Sequence, residues 1–284
     1  MTNTLIARRD AFNARHPEAR VTLNGREWGV IDVGTDGPVL ILIPGTLGRA
    51  DVFWQQMEAL APRARVLATT YPASGGVTEW ADDLVALLDA CGIDTATILG
   101  TSLGGYLVQH FGATHPERVA KLLPANTLVS TEASRSRPPY TLDVLSAPIA
   151  DLRAGLHKGL GAWREAHPDQ AELVDLLLGE VDGRIPEAEL RTRLNALKTA
   201  PTLASVPIPA TRIATIEGDD DPLIQPASRE EVRAHLAPAV SYRFAWGGHF
   251  PYVVRPGLYT GLLETELGLP LTGEGWGEGA VRTR

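Results

Sequence analysis

The sequence predicts an α/β fold in which a mostly parallel, eight-stranded sheet is flanked by helices and carries a helical cap insertion. Three observations predict it. Short apolar runs alternate with helical patterns, the alternation stops at about residue 131, and it resumes after Pro207 and Pro209. Such alternation indicates parallel strands with helices on both faces. Because the chain has 284 residues, we expect one large domain with an inserted subdomain.

Strands are predicted where short apolar runs are bounded by turn residues. The first two runs are joined by Asn24 and Gly25, a pair that strongly favours a hairpin. Val39–Ile43 is apolar at every position, as is typical of a strand buried on both faces. The eight predicted strands are Val21–Leu23, Trp28–Val33, Val39–Ile43, Arg65–Thr69, Thr97–Leu99, Val119–Leu123, Arg212–Glu217 and Ser241–Phe244.

The insertion at residues 131–206 has no strand pattern and carries helical patterns at Gln170–Leu178 and Pro186–Leu197. We expect it to act as a lid whose apolar side chains line a substrate pocket. An alternative is that these side chains only pack the lid onto the sheet. The expected pocket residues are Leu142, Val144, Leu145, Ile149, Leu152, Leu156, Leu160 and Trp163.

The chain ends are predicted to lie outside the core, which comprises residues 21–130 and 207–271. Residues 1–20 are polar and charged, which predicts a short helix or arm with weak packing. Residues 272–284 are rich in glycine and charge, which predicts a mobile tail.

Charge and composition argue against several classes of protein. Lys and Arg number 26 against 34 Asp and Glu, a net charge of −8 that disfavours a nucleic-acid or anionic-membrane partner. The single cysteine, Cys91, allows no intrachain disulfide and is predicted to be a buried structural thiol. No stretch resembles a signal peptide or a membrane span, so the expected location is the cytoplasm.

Residues 100–104, Gly-Thr-Ser-Leu-Gly, match the pattern G-x-S-x-G between a predicted strand and a predicted helix. This context predicts a sharp turn that holds Ser102 above the sheet as a nucleophile. The backbone N–H of Leu103 is then one oxyanion donor. The alternative is a glycine-rich turn that only connects a strand to a helix.

A serine nucleophile needs a base and an acid that orients the base. His249 lies in a glycine-rich loop after the last predicted strand, and we expect it to be the base. Three acids, Asp219, Asp220 and Asp221, follow an earlier strand at the same sheet edge. The alternatives are a surface histidine and a solvated acidic turn.

The second oxyanion donor is expected in the loop at residues 44–47. Pro44 has no N–H, so Thr46 is the first candidate and Leu47 the second, unless the loop is only a tight turn. The sequence has no H-E-x-x-H, no cysteine cluster and no G-x-G-x-x-G in the first βα unit. We therefore expect no metal and no dinucleotide cofactor.

With these motifs placed, residues 21–267 resemble the α/β-hydrolase superfamily, which implies the α/β-hydrolase fold. In such hydrolases the acid often stands three residues after the glycine and directly before proline, which favours Asp221 over its main rival, Asp219. Within the superfamily the chain is similar to maspardin and its bacterial relatives. The stretches that carry this similarity are residues 50–54 (Ala-Asp-Val-Phe-Trp), 71–72 (Tyr-Pro), 100–109 and 247–252 (Gly-Gly-His-Phe-Pro-Tyr).

The resemblance and the motifs together predict a serine hydrolase that cleaves a carboxylic ester or lactone through an acyl-enzyme. Ser102, His249 and Asp221 would form the triad, with a small-molecule ester as the partner. Maspardin is regarded as a partner-binding protein with an incomplete triad, which leaves non-catalytic binding as an alternative. C–C bond hydrolysis, acyl transfer on the same triad and a homodimer also remain open.

Overall fold

The computed structural model describes residues 3–34, 36–272 and 280–283. Their strands form one sheet, in the order β1-β2-β4-β3-β5-β6-β7-β8-β9, in which β3 to β8 are parallel. β1, β2 and β9 pair antiparallel at the two sides. The strands are β1 (Ala19–Leu23), β2 (Arg26–Gly34), β3 (Val39–Ile43), β4 (Arg65–Thr70), β5 (Ala96–Thr101), β6 (Val119–Ala125), β7 (Ala214–Gly218), β8 (Val240–Phe244) and β9 (Ala280–Thr283).

The predicted eight-stranded, mostly parallel sheet is confirmed, and β9 adds a ninth strand. Ser241 of β8 pairs with Thr283 of β9. The predicted mobile tail is therefore wrong for Ala280–Thr283, because an open strand edge offers unpaired backbone groups that a further strand can bond. The part of that prediction that falls on residues 273–279 and 284 lies outside the described residues.

Helices cover both faces of the sheet. They are α1 (Thr4–Arg15), α2 (Trp54–Leu60), α3 (Val77–Ala90), α4 (Leu103–Thr114), α5 (Glu132–Arg135), α6 (Ile149–Ala166), α7 (Ala171–Gly179), α8 (Glu187–Lys198), α9 (Pro226–Leu236), α10 (Pro251–Val254) and α11 (Pro256–Glu266). Alternate residues of β3 belong to two cores. Leu40 and Leu42 pack on the side of α2 and α11, and Ile41 and Ile43 on the side of α3 and α4.

The N-terminal segment packs more firmly than the sequence predicts. α1 begins after Asn3, whose side chain accepts a hydrogen bond from the Ile6 N–H at 3.0 Å. Phe12 is fully buried, and the buried Arg9 pairs with Glu180 at 3.2 Å. The predicted short helix is confirmed, but the predicted weak packing is wrong for the described residues, because the contacts of α1 come from distant parts of the chain.

Between β6 and β7 the chain forms α5 to α8 and no strand. The sequence pattern does not single out α6 as a helix, because Gly155, Gly159 and Gly161 lower its helix propensity. We call residues 131–206 the cap. A small core of its own holds the cap together, formed by Val144, Leu152, Ile185, Leu190 and Leu194.

Two smaller expectations concern Cys91 and membranes. Cys91 is half-buried at the end of α3, and burial raises the pKa of its thiol. In the part of the chain that the structure describes, no helix is both long and apolar enough to cross a membrane. The cytoplasmic location stays a prediction.

Candidate active site

Ser102 stands between β5, at the middle of the sheet, and α4. Its φ of 54° lies in the left-handed region that non-glycine residues rarely adopt. Two hydrogen bonds hold this conformation. The Ser102 N–H donates to the Ala125 carbonyl at 2.9 Å, and the Thr127 hydroxyl donates to the Ser102 carbonyl at 2.8 Å. The backbone strain is thus maintained by its surroundings, as is common at functional sites.

The flanking glycines are a steric requirement of this turn. A Cβ atom on Gly100 would lie 2.1 Å from the Gly104 carbonyl oxygen. A Cβ atom on Gly104 would lie 2.4 Å from the carbonyl oxygen of Ile43. The missing side chain at Gly100 therefore lets β5 and α4 approach each other, and the missing side chain at Gly104 lets α4 approach the end of β3. This close approach is the physical basis of the G-x-S-x-G pattern.

Asp221 and His249 meet at the same edge of the sheet. The Asp221 Oδ2 atom lies 2.8 Å from His249 Nδ1 and accepts a hydrogen bond from Asn126 Nδ2 at 3.0 Å. Its Oδ1 atom accepts the N–H groups of Leu223 and Ile224 at 2.8 and 3.1 Å. Burial raises the pKa of Asp221, but the His249 charge and these hydrogen bonds outweigh it and hold the pKa below its ordinary value.

The other two acids of this turn have different partners. Asp219 is exposed, and its Oδ1 accepts from Arg243 Nη2 at 2.8 Å. Asp220 accepts the N–H groups of Gly247 and Gly248 at 3.1 and 2.9 Å. Asp220 therefore holds the loop that carries the histidine. The geometry favours Asp221 over Asp219 as the partner of His249.

Sequence reasoning missed Asn126, which directly follows β6. It is buried with a φ of 43°, a conformation that asparagine tolerates better than most residues. Its side chain donates to Asp221 and, at 3.3 Å, to the Gly248 carbonyl, so it joins the acid to the histidine loop. The available signal was a short polar residue directly after a buried strand, at the carboxyl edge of the sheet.

The predicted oxyanion donors lie beside Ser102. A Cβ atom on Gly45 would come within 3.0 Å of Ser102 Cβ, so the loop after β3 lies directly against Ser102. Thr46 and Leu47 follow in that loop and line the same cavity as Ser102. Leu103 is the first residue of α4, where backbone N–H groups have no partner within the helix. The choice between Thr46 and Leu47 stays a prediction.

A cavity of about 410 Å³ opens above Ser102 and His249. Three of the predicted pocket residues, Leu156, Leu160 and Trp163, line it. The prediction is wrong for the other five, since Leu145 is 58% exposed and the remaining four face the core of the cap. Those four are Leu142, Val144, Ile149 and Leu152.

The walls of this cavity are mainly apolar. Among the described residues that line it there is no carboxylate, lysine or arginine, and its titratable side chains are His167, His249, Tyr140 and Tyr252. The described residues contain no group of three or more His, Cys, Asp or Glu side chains that could hold a metal ion. The cavity therefore suits an uncharged, largely apolar group.

A parallel sheet whose middle strand ends in a G-x-S-x-G turn defines the α/β-hydrolase class of fold. A family described as alpha/beta hydrolase fold matches residues 38–256 of this chain. The protein belongs to this family.

Two curated relatives and one solved structure illustrate its similarities. Maspardin from Mus musculus is 27% identical over 238 residues, 80% of this chain and 75% of that protein. "Putative carbamate hydrolase RutD" from Caulobacter segnis is 26% identical over 237 residues, 75% of this chain and 85% of that protein. A crystal structure of a hydrolase from Pseudomonas aeruginosa has a TM-score of 0.76 at 23% identity, covering 89% of this chain and 98% of that one.

Proposed function

We propose that this protein is a serine hydrolase that cleaves a carboxylic ester or lactone through an acyl-enzyme. The observation that carries the proposal is that strained Ser102 and the Asp221-paired His249 line one cavity. A serine hydroxyl is a weak nucleophile until an adjacent base takes its proton. The alpha/beta hydrolase family match and the similarity to a protein named a carbamate hydrolase support the same class of reaction.

The arrangement assigns a role to each member of the triad. Because Asp221 is ionised, it accepts a hydrogen bond from the N–H at His249 Nδ1, which keeps the proton there and leaves Nε2 as the base. Ser102 Oγ attacks the substrate carbonyl carbon while His249 takes the hydroxyl proton. The alcohol then leaves with that proton, and the acyl group stays on Ser102. In the second step His249 takes a proton from water, and the water oxygen attacks the acyl-enzyme ester on Ser102. The acid is released as His249 returns the proton to Ser102 Oγ.

The oxyanion of each tetrahedral intermediate would accept hydrogen bonds from the N–H groups of Leu103 and Thr46. One such donor lowers the barrier by about 3 kcal/mol in the measured enzyme example. The apolar cavity under α6 favours an ester or lactone whose bound group is uncharged and hydrophobic. In this proposal the cap is the lid that forms the outer wall of the substrate site.

The test compares p-nitrophenyl acetate, butyrate and octanoate as substrates for the wild type, Ser102→Ala, His249→Ala and Asp221→Asn. We expect Ser102→Ala and His249→Ala to abolish measurable turnover. Asp221→Asn should lower kcat by about 10³- to 10⁴-fold, since the wrong tautomer of histidine is then held. Asp219→Asn is the matched control, because its carboxylate is exposed and bonded to Arg243, and it should keep nearly full activity.

A fluorophosphonate probe supplies a readout that does not depend on the choice of ester. It should label the wild type and leave Ser102→Ala unlabelled. A folded wild type that neither hydrolyses the esters nor reacts with the probe would exclude the proposed function. Product analysis separates hydrolysis from acyl transfer and from C–C bond cleavage.

A second candidate is non-catalytic partner binding, favoured by the similarity to maspardin over 80% of the chain. The cap then serves as the interface, and its exposed Leu145 is the first residue to test. Absence of probe labelling together with a partner lost on Leu145→Asp would favour this candidate. The predicted homodimer stays a prediction.

A further inference from the structure

Two buried side chains hold the carbonyl groups of the oxyanion loop, residues 44–48. The Tyr71 hydroxyl donates to the Pro44 carbonyl at 2.7 Å. Arg193 Nη1 donates to the Gly48 carbonyl at 2.7 Å and to the Thr46 carbonyl at 3.2 Å. Neither Tyr71 nor Arg193 lines the cavity, so both act on the loop from outside the substrate site.

Arg193 comes from α8 of the cap, whereas the loop belongs to the sheet domain. Its side chain is fully buried, and its Nη2 atom lies 3.1 Å from a carboxylate oxygen of Glu189. Its guanidinium carbon lies 5.3 Å from the centre of the Tyr71 ring. Burial lowers the pKa of Arg193 to about 10, against the opposing charge of Glu189, so the group stays protonated at neutral pH.

These contacts determine where the N–H groups of the loop point. In a planar trans peptide the C=O and N–H bonds point in opposite directions. Arg193 holds the Thr46 carbonyl and so fixes the N–H of Leu47. The Gly48 N–H donates to the Gly45 carbonyl at 3.0 Å, which fixes the N–H of Thr46. Arg193 also binds the carbonyl of Gly48, where this turn ends. Both candidate donors are therefore oriented before a substrate arrives.

We propose that Arg193 of the cap, supported by Tyr71, is a positioning residue that presets the oxyanion hole. This inference rests on the proposed serine-hydrolase function and assigns the cap a second role besides its wall of the cavity. The cap then contributes to transition-state stabilisation through the loop, without touching the substrate. The alternative is that Arg193 only attaches the cap to the sheet domain and has no effect on the oxyanion hole.

The variants are Arg193→Met, Arg193→Lys and, as the matched control, Arg191→Met. Arg191 lies on the same helix and donates to the Val144 carbonyl at 2.9 Å, within the cap and away from the oxyanion loop. With p-nitrophenyl butyrate, Arg193→Met should lower kcat by about 10- to 100-fold, because both carbonyls lose their donor and the oxyanion hole loosens. KM should change less than kcat, and Arg191→Met should leave both nearly unchanged.

Two further readouts distinguish positioning from simple loss of stability. The affinity for an alkyl boronic acid, which forms a tetrahedral adduct with the serine, should fall by about the same factor as kcat/KM. Hydrogen exchange of the amides in residues 45–50 should speed up in Arg193→Met and not in Arg191→Met. Arg193→Lys, which keeps the charge but offers a single point donor, should fall between the wild type and Arg193→Met.

If Arg193→Met does not fold, Arg193→Lys decides the question by the same three readouts. An active wild type whose folded Arg193 variants keep kcat, boronate affinity and loop exchange would overturn the positioning role and leave the hydrolase proposal intact. A wild type that neither turns over esters nor reacts with the fluorophosphonate overturns both proposals.

Discussion

The two sides of the cap contact the sheet domain by different kinds of interaction. The side formed by α8 and residues 180–184 reaches the sheet domain through charged side chains, of which Asp51 and Arg193 are buried and Arg184 is partly exposed. Arg184 pairs with Asp51 and Glu180, and Arg193 binds the oxyanion loop. The side formed by α6 presents a mainly apolar wall to the cavity.

On the α6 side, Trp163 contacts the histidine loop by packing. A Cβ atom on Gly248 would lie 2.8 Å from the Trp163 ring, so the indole rests on the backbone beside His249. The exposed pairs of this side, such as Arg164 with Asp175, lie at the surface. Directional contacts thus hold the α8 side, and non-directional packing contacts form the wall on the α6 side.

The largest expected effect on stability comes from removing the Arg184 charge on the α8 side of the cap. Arg184→Met would leave the buried carboxylates of Asp51 and Glu180 close together, with Arg9 as the nearest remaining cation on Glu180. We expect the free energy of unfolding to fall by about 3 kcal/mol, because removal of one partner strands buried charge. Denaturant unfolding at neutral pH measures this change.

Arg164→Met is the matched control for Arg184→Met on the other side of the cap. Its pair with Asp175 is exposed, so we expect a change of less than about 1 kcal/mol. Equal losses of stability in the two variants would contradict the distinction between the two sides.

A smaller effect, on kcat/KM, is expected from filling the cavity on the α6 side. Gly159 lines the cavity, and a Cβ atom there would meet no atom within 4 Å. Gly159→Leu should therefore extend into the space above Ser102 and lower kcat/KM for p-nitrophenyl octanoate by about tenfold or more, since steric exclusion removes acyl contacts. Hydrolysis of the acetate should change much less.

Gly161→Leu is the matched control on the same helix, because Gly161 also has open space around its Cβ position but does not line the cavity. Its ratio of octanoate to acetate activity should equal that of the wild type. A similar loss of chain-length preference in both variants would mean that α6 does not form the substrate wall.

The elements that the sequence predicts best depend on local patterns, and those it misses depend on distant contacts. The strand–turn–helix around Ser102 is marked by a local G-x-S-x-G pattern, in which a side chain on Gly100 would clash with Gly104 of the same turn. By contrast, Arg193 acts on Thr46, a residue 147 positions away, and no local pattern distinguishes it from Arg191. Asn126 is similar, because its partner Asp221 is 95 positions further along the chain.

Local sequence also cannot separate the roles of the three aspartates at residues 219–221. Three adjacent aspartates have the same residue type, and only their tertiary partners separate them. Asp219 bonds to Arg243, Asp220 holds the glycines before the histidine, and Asp221 meets the histidine itself. The resemblance to other hydrolases favoured Asp221, but the supporting role of Asp220 follows only from the position of the histidine loop.

The smallest expected effect is a pH dependence of stability at the His249–Asp221 pair, whose histidine lines the cavity beside the α6 side. The folded-state pKa of Asp221 is below its ordinary value, so its ionised form stabilises the fold above the unfolded pKa of about 3.9. That stabilisation is lost as the pH falls through the folded-state pKa. The difference in unfolding free energy between the wild type and Asp221→Asn should therefore persist at about pH 5 and shrink below about pH 4. Asp219→Asn changes the exposed acid of the same turn, and its unfolding free energy should stay close to that of the wild type across this pH range. Denaturant unfolding at each pH measures both variants. A pH-independent difference in unfolding free energy for Asp221→Asn would mean that its carboxylate gains nothing from His249 in the folded state.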